Sequence, residues 1–337
     1  MWERTTSGEL LATGSTGPAW RTDVTTVNGS DYILTTSCDT TKFTLNFLII
    51  IIALVGVAGN AIVLWLLGFQ MRRNAFSIYI LNLAGADFLF LCFNAVHSIQ
   101  VIISMYRSIF ISGFFNVLFN FTYLAGLSML SAISTERSLS ALLPIWYRCR
   151  RPRHTSAAMC ALLWTLSLIL SALQAEACGT FFNGFAHGWC KRLDSIIFAW
   201  LIVLLVVLSG SSLALLLRVF CGSHRIAVTR LYVTIALTVL VFLLFGLSYG
   251  IYWFLLDWIE ELYRVFPCNV FEISAFLSCV NSCANPIIYF LVGSIRHCRF
   301  QCQTPKVFLQ RALQDVPEEE EGAERGSSRK SGELETV

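Results

Sequence analysis

Phe43–Met71 reads FTLNFLIIIIALVGVAGNAIVLWLLGFQM, a run without a single Asp, Glu, Lys or Arg. A bilayer core about 30 Å thick is crossed by roughly 20 apolar residues in a helix, so this stretch is long enough to span it. Five further stretches share the property: Ser108–Thr135, His154–Ala175, Ser195–Leu217, Leu231–Leu256 and Ile273–Ile295. A seventh, Asn74–Tyr106, is interrupted only by Asp87. None alternates apolar and polar residues as an outer-membrane barrel strand does. The sequence therefore predicts an all-α membrane protein, a bundle of seven transmembrane helices.

The rest of the chain agrees. Of its 337 residues, 56% are hydrophobic and only 13% charged, against roughly 25% charged in a soluble domain. The mean hydropathy is +0.66, more apolar surface than a soluble fold of this size can hide. A net charge of +3 is too mild for a nucleic-acid partner. The 12 cysteines are scattered, which excludes a small disulfide-knotted domain.

Orientation follows from the basic residues beside the spans. With the N-terminus outside, the inner connections and proximal tail hold fourteen, among them Arg72, Arg73, Arg137, Arg148, Arg150, Arg151 and Arg153. The outer side holds five: Lys42, Arg107, Lys191, Arg192 and Arg264. A multi-pass plasma-membrane protein with an extracellular N-terminus is expected. Asn28-Gly29-Ser30 is a glycosylation sequon on that outer segment; Asn120-Phe121-Thr122 is another, but it lies within a span and is expected to stay unmodified. No cleavable signal peptide is visible, so the first span is expected to direct its own insertion. The expected divisions are a disordered extracellular segment 1–42, the bundle 43–293, an amphipathic eighth helix 294–314 and a disordered cytoplasmic tail 315–337 with the acidic run Glu318–Glu321.

A charge at bilayer depth is costly unless it faces partners or water. Asp87 is the only acid near the middle of a span, and Asn60, Asn281 and Asn285 can join it in one polar cluster with Tyr289. Such a cluster can hold a hydrated sodium ion, the one inorganic group expected here; the plainer reading is a structural hydrogen-bond knot. Glu136-Arg137 ends the third span just before a basic loop. The two can form a charge-assisted contact when the bundle is closed, releasing Arg137 when it opens; a snorkelling arginine is the plainer alternative. Asn285-Pro286-Ile287-Ile288-Tyr289 sits near the inner end of the last span, where Pro286 removes a backbone donor and turns Asn285 and Tyr289 inward.

Together with Gly59-Asn60, Leu83-Ala84 and Trp164, these residues resemble the rhodopsin-like (class A) G-protein-coupled receptors, in order from about residue 43 to 312. Closer wording is similar to the Mas-related subfamily, most of all to rodent B-type members. It appears in Arg72–Leu83 (RRNAFSIYILNL), Pro144–Cys149 (PIWYRC), Cys221-Gly222-Ser223, Thr229–Thr234 (TRLYVT) and Leu309–Asp315 (LQRALQD). The resemblance implies an extracellular cationic peptide or small-molecule agonist, a heterotrimeric G-protein partner often of the Gq (calcium) kind, and a role in nociceptive, itch or mast-cell signalling. It implies no enzymatic activity.

The usual disulfide from the third helix is impossible, because no Cys occurs between Phe93 and Arg148. Cys178 and Cys190 flank the outer loop between the fourth and fifth spans, as in the Mas-related arrangement; Cys38 and Cys268 form a second candidate pair on the outer side. The outer rim carries Glu176, Asp194, Asp257, Glu260, Glu261 and Glu272 against three bases, a field that draws cations. Trp253 and Trp258 add aromatic faces for an ammonium or guanidinium, although an interfacial Trp belt is expected of any membrane protein. By resemblance the cation site uses a Glu in helix 4 and an Asp in helix 5. Here those positions are Gln174 and Asp194, so one acid is missing, and Glu176 lies about 200° around the helix from Gln174. Tyr123 on the third span is counted among the ligand-facing residues. In the sixth span Gly246 stands where the wider class has a switch Trp, and Ser248 where it has a kink Pro.

At the inner face, Glu136, Arg137 and Arg230 are the residues expected to meet the G protein. Cys298 and Cys302, four apart on the eighth helix, are candidate palmitoylation sites beside membrane lipid. Two rival readings remain: an ion transporter or channel using Asp87, disfavoured by the absence of paired broken helices, and a poorly signalling orphan receptor with the same fold. A membrane enzyme finds no support, since no zinc, phosphate-loop or nucleophile-elbow motif occurs.

Overall fold

The computed structural model describes residues 29–71, 75–103, 109–152, 154–179, 187–221, 230–252 and 269–294, with 305, 306 and 309. Among these residues there is no strand. The first span is α1 (Gly29–Trp65), which continues into a π-helical turn at Leu66–Gln70. The second and third are α2 (Ala75–Ile102) and α3 (Ile109–Leu142). A short helix, α4 (Pro144–Cys149), follows in the inner connection. The fourth and fifth spans are α5 (Thr155–Ala177) and α6 (His187–Cys221). The sixth is segmented into α7 (Arg230–Val241), a π-helical turn at Phe242–Gly246, and α8 (Ser248–Ile251). The seventh is α9 (Val270–Ser294), with Pro286 inside it. Six of these helices are long and apolar enough to cross a membrane, and Ala236–Ile251 supplies a shorter apolar one. The seven-helix reading of the sequence holds.

One boundary moves. Residues 29–42, expected to be disordered, belong to α1, which starts at Gly29 rather than near Phe43. Once the apolar run has nucleated a helix, each added turn costs little, and tertiary ties hold this extension. Lys42 pairs with Glu272 at 3.7 Å, and the Asn269 side-chain amide donates to the Cys38 carbonyl at 2.9 Å. Cys38 is itself disulfide-bonded, while Cys268 lies outside the described residues. Asn28, Cys298, Cys302, Trp253 and Trp258 also lie outside them, as does most of the expected eighth helix.

The outside of the bundle is apolar. Leu54, Leu162, Val206 and Leu244 are all exposed, as expected where the solvent is hydrocarbon. α3 runs through the centre: 78% of its apolar window is buried, against 28% for α5. Helices that share lipid as a solvent associate through close packing and interhelical hydrogen bonds. Both occur here. Ser134 Oγ meets Ser211 Oγ at 2.7 Å and Ser212 Oγ at 2.9 Å, joining α3 to α6. Trp164 Nε1 donates to Asn82 Oδ1 at 3.0 Å, joining α5 to α2. At Gly56 the backbones of α1 and α9 approach so closely that a Cβ would lie 2.6 Å from Leu91 Cδ1 and 3.2 Å from the Cα of Cys283.

That approach gives a stability test. Gly56→Ala is expected to lower the stability of the purified protein by about 1–3 kcal/mol through overpacking. At Gly210 a Cβ would meet nothing within 4 Å, so Gly210→Ala is expected to be neutral or to stabilise by up to ~1 kcal/mol. Thermal unfolding in detergent, with both variants side by side, measures the difference; equal midpoints would contradict the packing described.

Candidate functional site

At the outer end, α5 and α6 are tied by the Cys178–Cys190 disulfide, whose Cα atoms are 4.7 Å apart. Four residues from each cysteine, this closure brings Gln174 and Asp194 face to face. Gln174 Nε2 donates to Asp194 Oδ1 at 2.5 Å, and the bonded sulfur of Cys190 lies 3.8 Å from Oδ2. Gln174 keeps its other end inward: its Oε1 accepts from Asn120 Nδ2 on α3 at 3.2 Å. The Asn120 carbonyl in turn accepts from the Tyr249 hydroxyl on α8 at 3.1 Å. A continuous run of hydrogen bonds therefore links the Asp194 carboxylate to the buried middle of the sixth span. Glu176 is exposed at the end of α5; Gln174, not Glu176, meets Asp194.

Beneath this run lies an aromatic floor. Phe119 and Tyr249 stack at 4.6 Å between centroids, Phe90 and Phe119 at 4.9 Å, and Tyr123 and Tyr249 at 5.1 Å. Tyr123 is buried, and its hydroxyl is engaged with the backbone of the sixth span, donating to Gly246 O at 2.8 Å and accepting from Gly250 N at 3.1 Å. Asn120 and Tyr249 carry no motif. The signal that finds them is the cost of leaving an amide or phenol in an apolar span without a partner.

Deeper still, the polar cluster read around Asp87 assembles. Asp87 Oδ2 accepts from Asn285 Nδ2 at 2.7 Å. Asn60 Nδ2 donates to the carbonyls of Gly56 and Ser282, at 3.0 and 3.2 Å, so it braces α1 against α9. Asp87, Asn281 and Asn285 line one cavity with Ser278, Ser282 and Thr122. Two buried acceptors facing this region, Asn281 Oδ1 and Asn285 Oδ1, have no hydrogen-bond partner among the described residues. Tyr289 is buried on the same helix, where it lines a neighbouring, more apolar cavity with Phe76 and Ile80.

At the inner end the Glu136 carboxylate finds partners beyond α3. The Glu136 carboxylate is held by Arg151, at 2.5 Å, and by the Tyr147 hydroxyl at 2.7 Å. α4 makes this possible, because Pro144 opens a short helix that turns Tyr147 back under α3. Burial and the Glu136 carboxylate push the Tyr147 phenol up to about 12, so it remains a donor at neutral pH. Arg137 lays its guanidinium over the Phe76 ring, 3.5 Å from the centroid, the planar stacking that arginine favours. Spacing along α3 alone does not reveal Arg151, which arrives from the following loop. Arg230 opens α7, and its side chain lies outside the described residues.

Comparison with known proteins fits this geometry. The family described as "7 transmembrane receptor (rhodopsin family)" matches residues 59–289. The chain is 57% identical to mouse Mas-related G-protein coupled receptor member X2 over 100% of its own length and 96% of that receptor. It is 55% identical to mouse member B2, covering 98% of each chain. To human member X2 it is 56% identical over 90% of this chain and 93% of the relative. The bundle, the buried Asp87–Asn285 pair and identities above half along nearly the whole length lead to one conclusion: the chain belongs to the rhodopsin family of seven-transmembrane receptors, within the Mas-related G-protein coupled receptors, as a multi-pass receptor of the cell surface and not an enzyme.

Proposed function

We propose that this receptor takes cationic peptides or amphiphilic amines at its extracellular mouth and activates heterotrimeric G proteins, of the Gq (calcium) kind, in nociceptive, itch or mast-cell signalling. The distribution of basic residues supports an extracellular N-terminus. The observation that carries the reading is the Asp194 carboxylate, held at the outer junction of α5 and α6 by a neutral amide. Gln174 orients the acid but adds no charge, so the site presents one anion where a two-acid relative presents two. A hydrogen bond to a charged group contributes about 1.5–3 kcal/mol, enough for one ammonium or guanidinium to be selected over a neutral isostere. On the cytoplasmic side, Ile145 and Trp146 are exposed on α4 beside the Arg137 end of α3, an apolar surface suited to a helix-in-groove partner.

The residues around Asp87 fit a hydrated sodium ion, as the polar cluster read in the sequence suggests. A buried carboxylate supplies the charge, and the two unpartnered amide oxygens of Asn281 and Asn285 supply neutral oxygen ligands or acceptors for its water. A transporter reading gains nothing from this arrangement, because the cluster is braced across α1, α2 and α9 rather than set between two broken helices.

Two outcomes follow. In a calcium assay with an amphiphilic Lys/Leu peptide, Asp194→Asn is expected to raise the half-maximal concentration about 30-fold, equivalent to ~2 kcal/mol, while Gln174→Glu lowers it for peptides with two adjacent cations. An unchanged Asp194→Asn response would end the single-anion reading. Replacing sodium with choline in the bath is expected to sharpen the wild-type response and to leave Asp87→Asn unaffected; equal sodium sensitivity in both would remove the ion from Asp87.

A further inference from the structure

In the sixth span the α-helical hydrogen-bond ladder is interrupted between Gly246 and Gly250, and a side chain fills the interruption. In a continuous α-helix the Gly250 N–H donates to the carbonyl four residues back, Gly246 O. Here Gly250 N donates to Tyr123 Oη at 3.1 Å, and that hydroxyl donates to Gly246 O at 2.8 Å. The phenol of α3 stands between the two groups that would otherwise bond each other. Among the described residues no direct bond from Gly250 N to Gly246 O is made. The α-helical series resumes one residue later, with Ile251 N bonded to Leu247 O at 2.9 Å. A side chain inserted into the i→i−4 ladder is a known cause of a helix bend, and this one follows directly on the π-helical turn Phe242–Gly246.

The local sequence accommodates this insertion. Gly250 leaves the hydroxyl room, since a Cβ there would lie 3.1 Å from Tyr123 Oη and 2.7 Å from Leu201 Cδ1. A Cβ on Gly246 would lie 2.8 Å from Phe242 Cδ2 and 3.3 Å from the Asn281 side chain. Ser248 occupies another loosened carbonyl, donating to Phe245 O at 2.7 Å. Without a proline at this turn, the bend depends on an interhelical hydrogen bond, which is reversible. A proline would bend the helix permanently; a phenol can leave.

The same turn receives the hydrogen-bond run from the outer acid. Tyr249, between the two glycines, donates to Asn120, which lies one turn from Tyr123 on α3 and donates to Gln174, the partner of Asp194. We propose that Tyr123 is the positioning residue of the sixth span: its hydroxyl is a removable wedge between Gly246 and Gly250, and a ligand pulling on Asp194 shifts Gln174, Asn120 and Tyr249 so that the wedge withdraws and the ladder closes. The transmission step rests on the cation reading given above; the wedge itself does not. The two states exchange a pair of neutral hydrogen bonds for one backbone bond, a difference small enough for both to be populated and biased by a ligand.

The test uses full-length receptor in lipid nanodiscs with purified Gq, reading nucleotide exchange first without ligand and then with the Lys/Leu peptide. Tyr123→Phe keeps the ring and removes only the hydroxyl; it is expected to raise ligand-free exchange about fivefold, as loss of ~1 kcal/mol of wedge stability requires. Gly250→Ala, which crowds the hydroxyl out while leaving it present, is expected to act in the same direction. Adding Ser248→Pro to Tyr123→Phe restores a fixed bend and is expected to return ligand-free exchange to within about twofold of wild type. A merely structural tyrosine would not be rescued by a proline on another helix. Ligand-free exchange unchanged in both Tyr123→Phe and Gly250→Ala, or a rise that Ser248→Pro does not reverse, overturns the proposal. If the peptide fails on every protein, wild type included, while these ligand-free differences persist, the cation reading falls and the wedge stands.

Discussion

The hydrocarbon core offers no hydrogen bonds, so every polar atom placed there must find its partner inside the protein. This constraint organises the whole molecule. Asp87 lies against Asn285, Asn60 reaches the Ser282 carbonyl, and Ser134 meets both Ser211 and Ser212. Each of these contacts joins two helices, and together they fix the rotation of each span about its own axis. Apolar packing alone would leave that rotation poorly specified, because lipid tails and leucine side chains are nearly interchangeable neighbours.

The same constraint explains how departures from the family pattern are absorbed. Gln174 stands where the resemblance implies a carboxylate, and its amide donates to Asp194 while accepting from Asn120. What is lost in charge is gained in connection to α3. In the sixth span Gly246 and Ser248 stand where the wider class has a large ring and a proline, and the Tyr123 hydroxyl bonds the backbone of Gly246 and Gly250 there. At the inner end Arg151, brought by the following loop, pairs with Glu136, and Arg137 lies over the Phe76 ring.

Much of this was legible in the residues. Uncharged runs gave the spans, and the lone acid Asp87 pointed to its asparagine neighbours. Resemblance supplied the Cys178–Cys190 bridge, which the structure contains. Less legible was everything that depends on which way a helix faces after packing. The π-helical turns at Leu66–Gln70 and Phe242–Gly246 shift the register of side chains without any sequence break. Arg151 reaches Glu136 only because α4 folds the loop back under the bundle. Residues 29–42 look polar and loop-like, yet the Lys42–Glu272 pair and the Asn269–Cys38 contact hold them as a continuation of α1. Polar composition argues for disorder only where nothing distant in sequence stands ready to bind the segment.

The account joins an anionic exterior to a signalling interior, and sidedness tests that union most directly. A membrane-impermeant basic peptide is applied to intact cells expressing the receptor, then dialysed into the cytosol of the same cells through a patch pipette while calcium is recorded. The account requires a response to the bath and silence to the pipette. A response to cytosolic delivery, or none to the bath at any dose that cells tolerate, would contradict it.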